Sequence, residues 1–304
     1  ATSKVKQFDK SLKDAEKQGK KTGDVVDKQF SRMAKAAIAT TAAFLTFGSA
    51  LKAFSVSIRS ASEFETGLVG VAKTTGLAGQ ELVDLADAIG KLSREIPVSA
   101  NELLELGQAA GQLGVTGRDN ILAFTDTIAK LGRASDLEGE FAAKTLARIL
   151  NVTGESAGEV GKLASVFVVL GNNVAATERE IARISTEIAR STTAYGLSSA
   201  EVAAMGATMV SMGIRAESGG SAVGRVFEGI NTAVVRGGGE LRKFADTLQL
   251  NGAELQEAFN RDRIEGFMIF LKAIGRLGTT AGIALKEVGL GGVEISKSLI
   301  PLAT

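Results

Sequence analysis

PVSANELLELGQAAGQLGVTGRD, residues 97–119, holds a helix stop, a helix start and a second turn within one short span. Pro97 lacks an amide hydrogen and restricts Ile96 to extended conformations, so a helix with Leu82, Leu85, Ile89 and Leu92 on one face is expected to end near Arg94. Ser99 and Glu102 then stand in the S-x-x-E spacing of a capping box, in which the hydroxyl accepts from the Glu102 amide and the carboxylate reaches back to the Ser99 amide. Leu103, Leu106, Ala110 and Leu113 place apolar groups along one face of the helix that follows. Gly114 suits the left-handed position that closes it. Residues 116–119 offer the next start, leading into Ile121, Phe124, Ile128 and Leu131 before Gly132. Leu103, Leu106, Leu113, Phe124 and Ile128 are therefore expected in a core.

The same grammar extends along the chain. Ser156 with Glu159, Thr177 with Glu180, and Ser198 with Glu201 have capping-box spacing, and Asn251 with Glu254 is a looser version. Expected helices run over 79–95, 100–113, 118–132, 138–151, 157–171, 178–194, 199–213, 219–236, 240–249, 252–276 with a break near Asn260, and 280–288. Short connections imply antiparallel neighbours. With two prolines, one tyrosine and Val and Ile at helical spacing, the fold class is all-α. Many of the 36 glycines stand at expected helix ends, among them Gly114, Gly132, Gly154, Gly171, Gly196, Gly213 and Gly278, and read as stops. Gly206 and Gly229 fall inside helical patterns, where each costs about 1 kcal/mol against alanine and permits either a close helix contact or a conformational change.

Upstream, Val5, Phe8, Leu12 and Ala15 have the spacing of a coiled-coil seam, which Gly19 and Gly23 interrupt. The stripe resumes in shifted phase through Phe30, Met33, Ala37, Phe44, Phe47, Leu51, Phe54 and Ile58, a helix expected over 26–61. Phe44, Phe47, Leu51, Phe54 and Ile58 are the residues expected to carry its helix seam or a membrane contact. Residues 36–51 are free of charge for sixteen positions, short of the roughly 20 that span a bilayer. The architecture expected is a long N-terminal amphipathic or coiled-coil helix followed by a compact bundle of short capped helices. It divides into a basic arm at 1–62, a core at 63–236, and an extension at 237–304 after a hinge at Gly237, Gly238 and Gly239.

Charge is +1 overall, but residues 1–35 hold ten Lys or Arg against five acids, leaving the remainder about four units negative. The acids interleave with the bases and stacking aromatics are lacking, so a solvated helix face is favoured and specific nucleic-acid binding is not expected. Without cysteine or histidine, disulfides, thiolate chemistry, Cys or His metal sites and imidazole catalysis are excluded. Glu63 with Glu65, Glu138 with Glu140, and Glu178 with Glu180 do not face each other on a helix, so paired-carboxylate catalysis is not expected. No phosphate-binding glycine motif occurs, and Glu240 follows the one glycine run. No catalytic, metal or cofactor site is assigned. No secretory signal is visible after ATSKVKQ, and the chain is expected to be a piece of a longer polypeptide.

Residues 97–115 resemble the core segment of phage tail tape measure proteins, and further pieces follow in that family's order. They are SEFETGLVGVAKTTGLAGQEL (62–82), FTDTIAKLG (124–132), LARILNVTG (146–154) and LSSAEVAAMGATMVSMGIRAESGGSAVGRVF (197–227). The resemblance covers roughly 62–288. It implies a structural chain in the lumen of the tail tube that sets tail length, nucleates tube assembly and leaves ahead of the DNA. The implied partners are tail tube and tail terminator or tip proteins, tail assembly chaperones, and further copies of itself as a trimer or hexamer. Assembly in the host cytoplasm and an encounter with the host inner membrane during ejection are implied too; a cell-wall hydrolase would lie elsewhere in the parent chain. The alternative is a membrane-active helical module, a pore-forming or DNA-translocation domain that inserts residues 33–58.

Overall fold

In the computed structural model the described residues are 58–303. They are all-α, and no strand occurs among them. Phe44, Phe47, Leu51 and Phe54, with the arm at 1–57, lie outside the described residues, as does the side chain of Ile58. Two compact units are present.

The first unit comprises residues 58–151 with Ser156–Val168. Its helices are α1 (Ile58–Thr75), α2 (Gly79–Glu95), α3 (Ala100–Gln112), α4 (Arg118–Ala134) and most of α5 (Gly139–Thr153), then a 3-10 turn (Ala157–Glu159) and the start of α6 (Val160–Asn173). The boundary expected at residue 62 falls inside α1, where the helix runs unbroken to Thr75. Ile96 caps α2 in an extended conformation, and its amide donates to Leu92 O at 3.0 Å immediately before Pro97. Leu82, Leu85, Ile89 and Leu92 are buried along α2, as are Leu103, Leu104, Leu106, Phe124 and Ile128 along α3 and α4.

Leu113, in contrast, is only half-buried. It is the C-cap of α3, and the chain turns at Gly114 (φ 85°) so that the Val115 amide donates back to Ala110 O. Val115, 3 % exposed, takes the apolar position under the helix end that the spacing alone assigns to Leu113.

Glycines also let α1 and α3 meet closely. A Cβ at Gly67 would lie 3.0 Å from Leu104, and one at Gly111 would lie 2.6 Å from Thr74 and Thr75. Gly132 does not stop α4, which continues to Ala134; the chain returning at Leu137 and Glu138 passes over it, 3.4 Å from where a side chain would start. Gly171 likewise sits inside α6, where the carboxyl end of Glu178 occupies the space of a Cβ.

The second unit comprises Val152–Glu155 and residues 169–303. It contains the ends of α5 and α6, then α7 (Glu178–Thr192), α8 (Ser199–Ser211), α9 (Ala216–Arg236), α10 (Gly238–Leu248), α11 (Gly252–Arg261), α12 (Arg263–Leu277), α13 (Ala281–Glu287) and α14 (Val293–Ala303). The break expected near Asn260 is at Asp262, whose Oδ1 accepts from the Ile264 amide at 2.8 Å and so starts α12. α9 starts at Ala216, three residues before the expected 219. α14 has no counterpart among the expected helices. It seals the core with Ile295, Leu299 and Leu302, and Leu290, just before it, fills the space left at Gly229.

The middle of this unit is aromatic. Phe227 is fully buried and stacks on Phe267 at 5.2 Å, with Tyr195 at 5.3 Å and Phe259 at 6.2 Å. Arg263 lies 4.5 Å above the Phe259 ring and donates to the Phe259 carbonyl. Such ring pairs add about 1 kcal/mol each beyond their area.

Candidate functional site

Where side chains concentrate in the described chain they organise helix ends and one close crossing. Thr177 and Glu180 close a reciprocal capping box at α7. The Glu180 amide donates to Thr177 Oγ1 at 3.2 Å, and the Thr177 amide to Glu180 Oε2 at 3.0 Å. Ser198 and Glu201 do the same at α8, with the Ser198 amide and hydroxyl each 2.8 Å from Glu201 Oε2. At α3 the Glu102 amide donates to Ser99 Oγ at 3.2 Å.

Ser156 and Glu159 take a different form from the box their spacing suggests. Residues 157–159 wind as a 3-10 turn, the Ser156 side chain makes no capping bond, and Glu159 pairs instead with Lys162 one turn on. The tighter turn fixes Glu159 beside a lysine, which competes for the carboxylate that a box would require.

Next to this turn is a residue that sequence reasoning missed. Glu155 accepts from the Ser199 hydroxyl at 2.7 Å and from the Ser199 amide, so two carboxylates, Glu155 and Glu201, hold the first residues of α8. Charge-assisted bonds of this kind are about twice as strong as neutral ones. The clasp explains why Val152–Glu155 belongs to the second unit.

α7 carries the close crossing. Its Ile181, Ile184, Ile188 and Ala189 are buried, and α9 lies against it through Gly220 and Gly224. A Cβ at Gly220 would meet Glu187 Cβ at 2.5 Å and its carbonyl carbon at 2.8 Å; one at Gly224 would meet Ser191 at 2.7 Å. The Ser191 hydroxyl donates to Gly220 O at 2.7 Å across the gap. On the other flank of α7, Ser185 and Ile184 fill the space beside Gly206 of α8.

In the hinge triplet, Gly237 is the one residue between α9 and α10, at φ 60°, while Gly238 and Gly239 already belong to α10. Val235, 75 % exposed, immediately precedes it. One stretch among the described residues, Arg263–Glu287, is long and apolar enough to cross a membrane. It is interrupted by a 3-10 turn at Gly278–Thr280, and its Phe267, Phe270, Leu271 and Ile274 face the core. Among the described residues no group of three or more Asp or Glu is placed to hold a metal ion.

Tyr195 is the only tyrosine and there is no tryptophan, so it reports on this core alone. Burial raises its phenol above the ordinary value of 10, and the charge of Glu228 raises it further. The stability this group contributes is fully present below pH 10 and is lost as pH rises through the higher folded value. A tyrosinate absorbance titration of the folded chain is expected to show a midpoint above 10 that Glu228→Gln moves downward. A midpoint at 10 in both proteins would place Tyr195 in water.

A family model described as phage-related minor tail protein matches residues 86–281. No curated protein matches the chain, and no solved structure does.

Proposed function

Because the chain belongs to the phage-related minor tail protein family, and is thus a structural virion component that works among other tail proteins, we propose that it is the core segment of a tail tape measure protein, acting as an anchoring or assembly domain.

The observation that carries this reading is the length of the helices. A helical ruler works through its constant rise of about 1.5 Å per residue. The longest described helix, α9, has 21 residues, which at that rise is roughly 32 Å. Beyond it the chain turns at Gly237, and elsewhere at Gly114, Gly154, Gly196 and Gly213, all at positive φ. A segment that folds back so often is built to dock, and the extended ruler belongs elsewhere in the parent chain. In this reading the partners are tail tube and terminator or tip proteins and the assembly chaperones. The arm at 1–62, with Phe44, Phe47, Leu51, Phe54 and Ile58 on one stripe, joins copies in the tube lumen, and Gly237–Gly239 serves as the hinge before the extension.

Tail length measured by electron microscopy, after an in-frame deletion in the parent gene outside residues 62–288, tests this. Shortening by about 1.5 Å per deleted residue is expected for a helical ruler. Unchanged length would remove the ruler from the deleted region and put the membrane-active reading first.

A further inference from the structure

We propose that Asn251–Gly252 is a self-modification site, at which the asparagine converts spontaneously to aspartate and isoaspartate, and that the cap of α11 governs when it reacts. Asn251 is the only asparagine of the sequence that is followed by glycine. The reaction depends on that neighbour, because the Gly252 nitrogen attacks Asn251 Cγ and a glycine carries no Cβ to obstruct the approach. As the N–Cγ bond forms, the Cγ–Nδ2 bond breaks. Nδ2 leaves as ammonia with the Gly252 amide proton, and a five-membered imide remains. Water then opens the ring. Cleavage at Cγ leaves aspartate, whereas cleavage at the main-chain carbonyl leaves isoaspartate, with the backbone now running through the former side chain.

The folded geometry opposes the first step. Asn251 is the N-cap of α11, extended at φ −83° and ψ 114°. Ring closure requires the Gly252 nitrogen and Asn251 Cβ to lie on the same side of the Asn251 Cα–C bond, and this ψ turns the nitrogen away. Asn251 Oδ1 also accepts from the Ala253 amide at 3.0 Å and the Glu254 amide at 3.2 Å, which holds the side chain over the helix end. Both restraints lapse together when the first turn of α11 opens. Asn251 is exposed, and helix ends are where a folded chain opens most readily.

The two products act in opposite directions. Aspartate keeps an oxygen for the two amides and places a negative charge at the helix N-terminus, where it is favourable. Isoaspartate lengthens the main chain by one carbon immediately before α11 and moves the carboxylate off the capping position. α11 supplies Leu255, Ala258 and Phe259 to the core, and Phe259 packs against Phe227. Loss of the cap therefore reaches the aromatic cluster, and conversion ties the age of the chain to the stability of the second unit. None of this depends on the tail assignment.

Incubation of the whole chain in mildly alkaline buffer, with and without guanidinium, followed by tryptic mapping and mass spectrometry, tests the proposal. The peptide over residues 244–261 carries Asn260 as well as Asn251, so fragmentation compares two asparagines in one molecule. Asn251 is expected to convert first in both conditions, to a mixture of aspartate and isoaspartate, and at least tenfold more slowly in the folded chain. In denaturant, Gly252→Ala is expected to slow it about tenfold, because the methyl hinders the attacking nitrogen. Asn251→Asp, which carries the first product alone, is expected to melt no lower than the parent. Conversion of another asparagine ahead of Asn251 would overturn the site. Equal rates with and without denaturant, in a chain that circular dichroism shows to be helical without it, would overturn the control by the cap.

Discussion

Gly220→Val is expected to lower the stability of the second unit by about 3 kcal/mol, because the new side chain has no room between α7 and α9. A Cβ at this position already meets Glu187 Cβ at 2.5 Å and the Glu187 carbonyl carbon at 2.8 Å, and the latter is backbone that no rotamer change can move. The helices must separate. Separation also strains the bond from the Ser191 hydroxyl to Gly220 O, worth about 1 kcal/mol. Removing a glycine from the middle of α9 returns at most about 1 kcal/mol of helix propensity, which is too little to offset the clash. For a unit of this size the loss corresponds to roughly 6–12 °C in the melting midpoint, followed by the signal of Tyr195, which packs against Phe227 on the same helix. Gly220→Ala places its methyl at the same point and is expected to destabilise by less. If the alanine variant is as stable as the parent or more so, propensity has won and the close crossing is wrong.

That crossing also shows where sequence reading reaches its limit. Glycine has one residue type and two uses. At Gly114, Gly196 and Gly213 it supplies a positive φ that ends a helix, and the flanking apolar periodicity made this legible. At Gly132, Gly171 and Gly220 it lies inside a helix and supplies close approach, which depends on a partner segment that local spacing does not reveal. Ser198, Thr177 and Pro97 were legible because a cap or a stop is decided by residues within three or four positions. Glu155 was not, since its partner Ser199 is 44 residues away. α14 was hidden for a related reason. Gly291 and Gly292 precede it and Pro301 interrupts its amide pattern, but Ile295, Leu299 and Leu302 bury enough apolar surface to hold a helix despite the proline in its last turn. A phage tail family was legible because the pieces stand in one order, and the span matched by the minor tail protein family, 86–281, covers those from residue 97 onward.

Leu106→Asp is expected to unfold the first unit. Leu106 is 4 % exposed on α3, beside Leu103 and Leu104 at 0 %, so its replacement puts a carboxylate into a place closed to water. An unpaired buried charge costs on the order of 4 kcal/mol or more, against a total stability of about 5–15 kcal/mol for an ordinary domain. Protonation of the new side chain would remove the charge but leave a polar group without partners among leucines. Leu106→Met, which keeps volume and apolarity, is expected to cost less than about 1.5 kcal/mol. Far-UV circular dichroism reads helix throughout the chain, while Tyr195 reads the second unit. The aspartate variant should therefore lose part of its helical signal at a lower temperature than the methionine variant, with the tyrosine transition in place. An aspartate variant with the helical melting curve of the parent would mean that α3 turns another face to the core, and the assignment of Leu103, Leu106 and Ala110 to the buried side of residues 97–119 would fail.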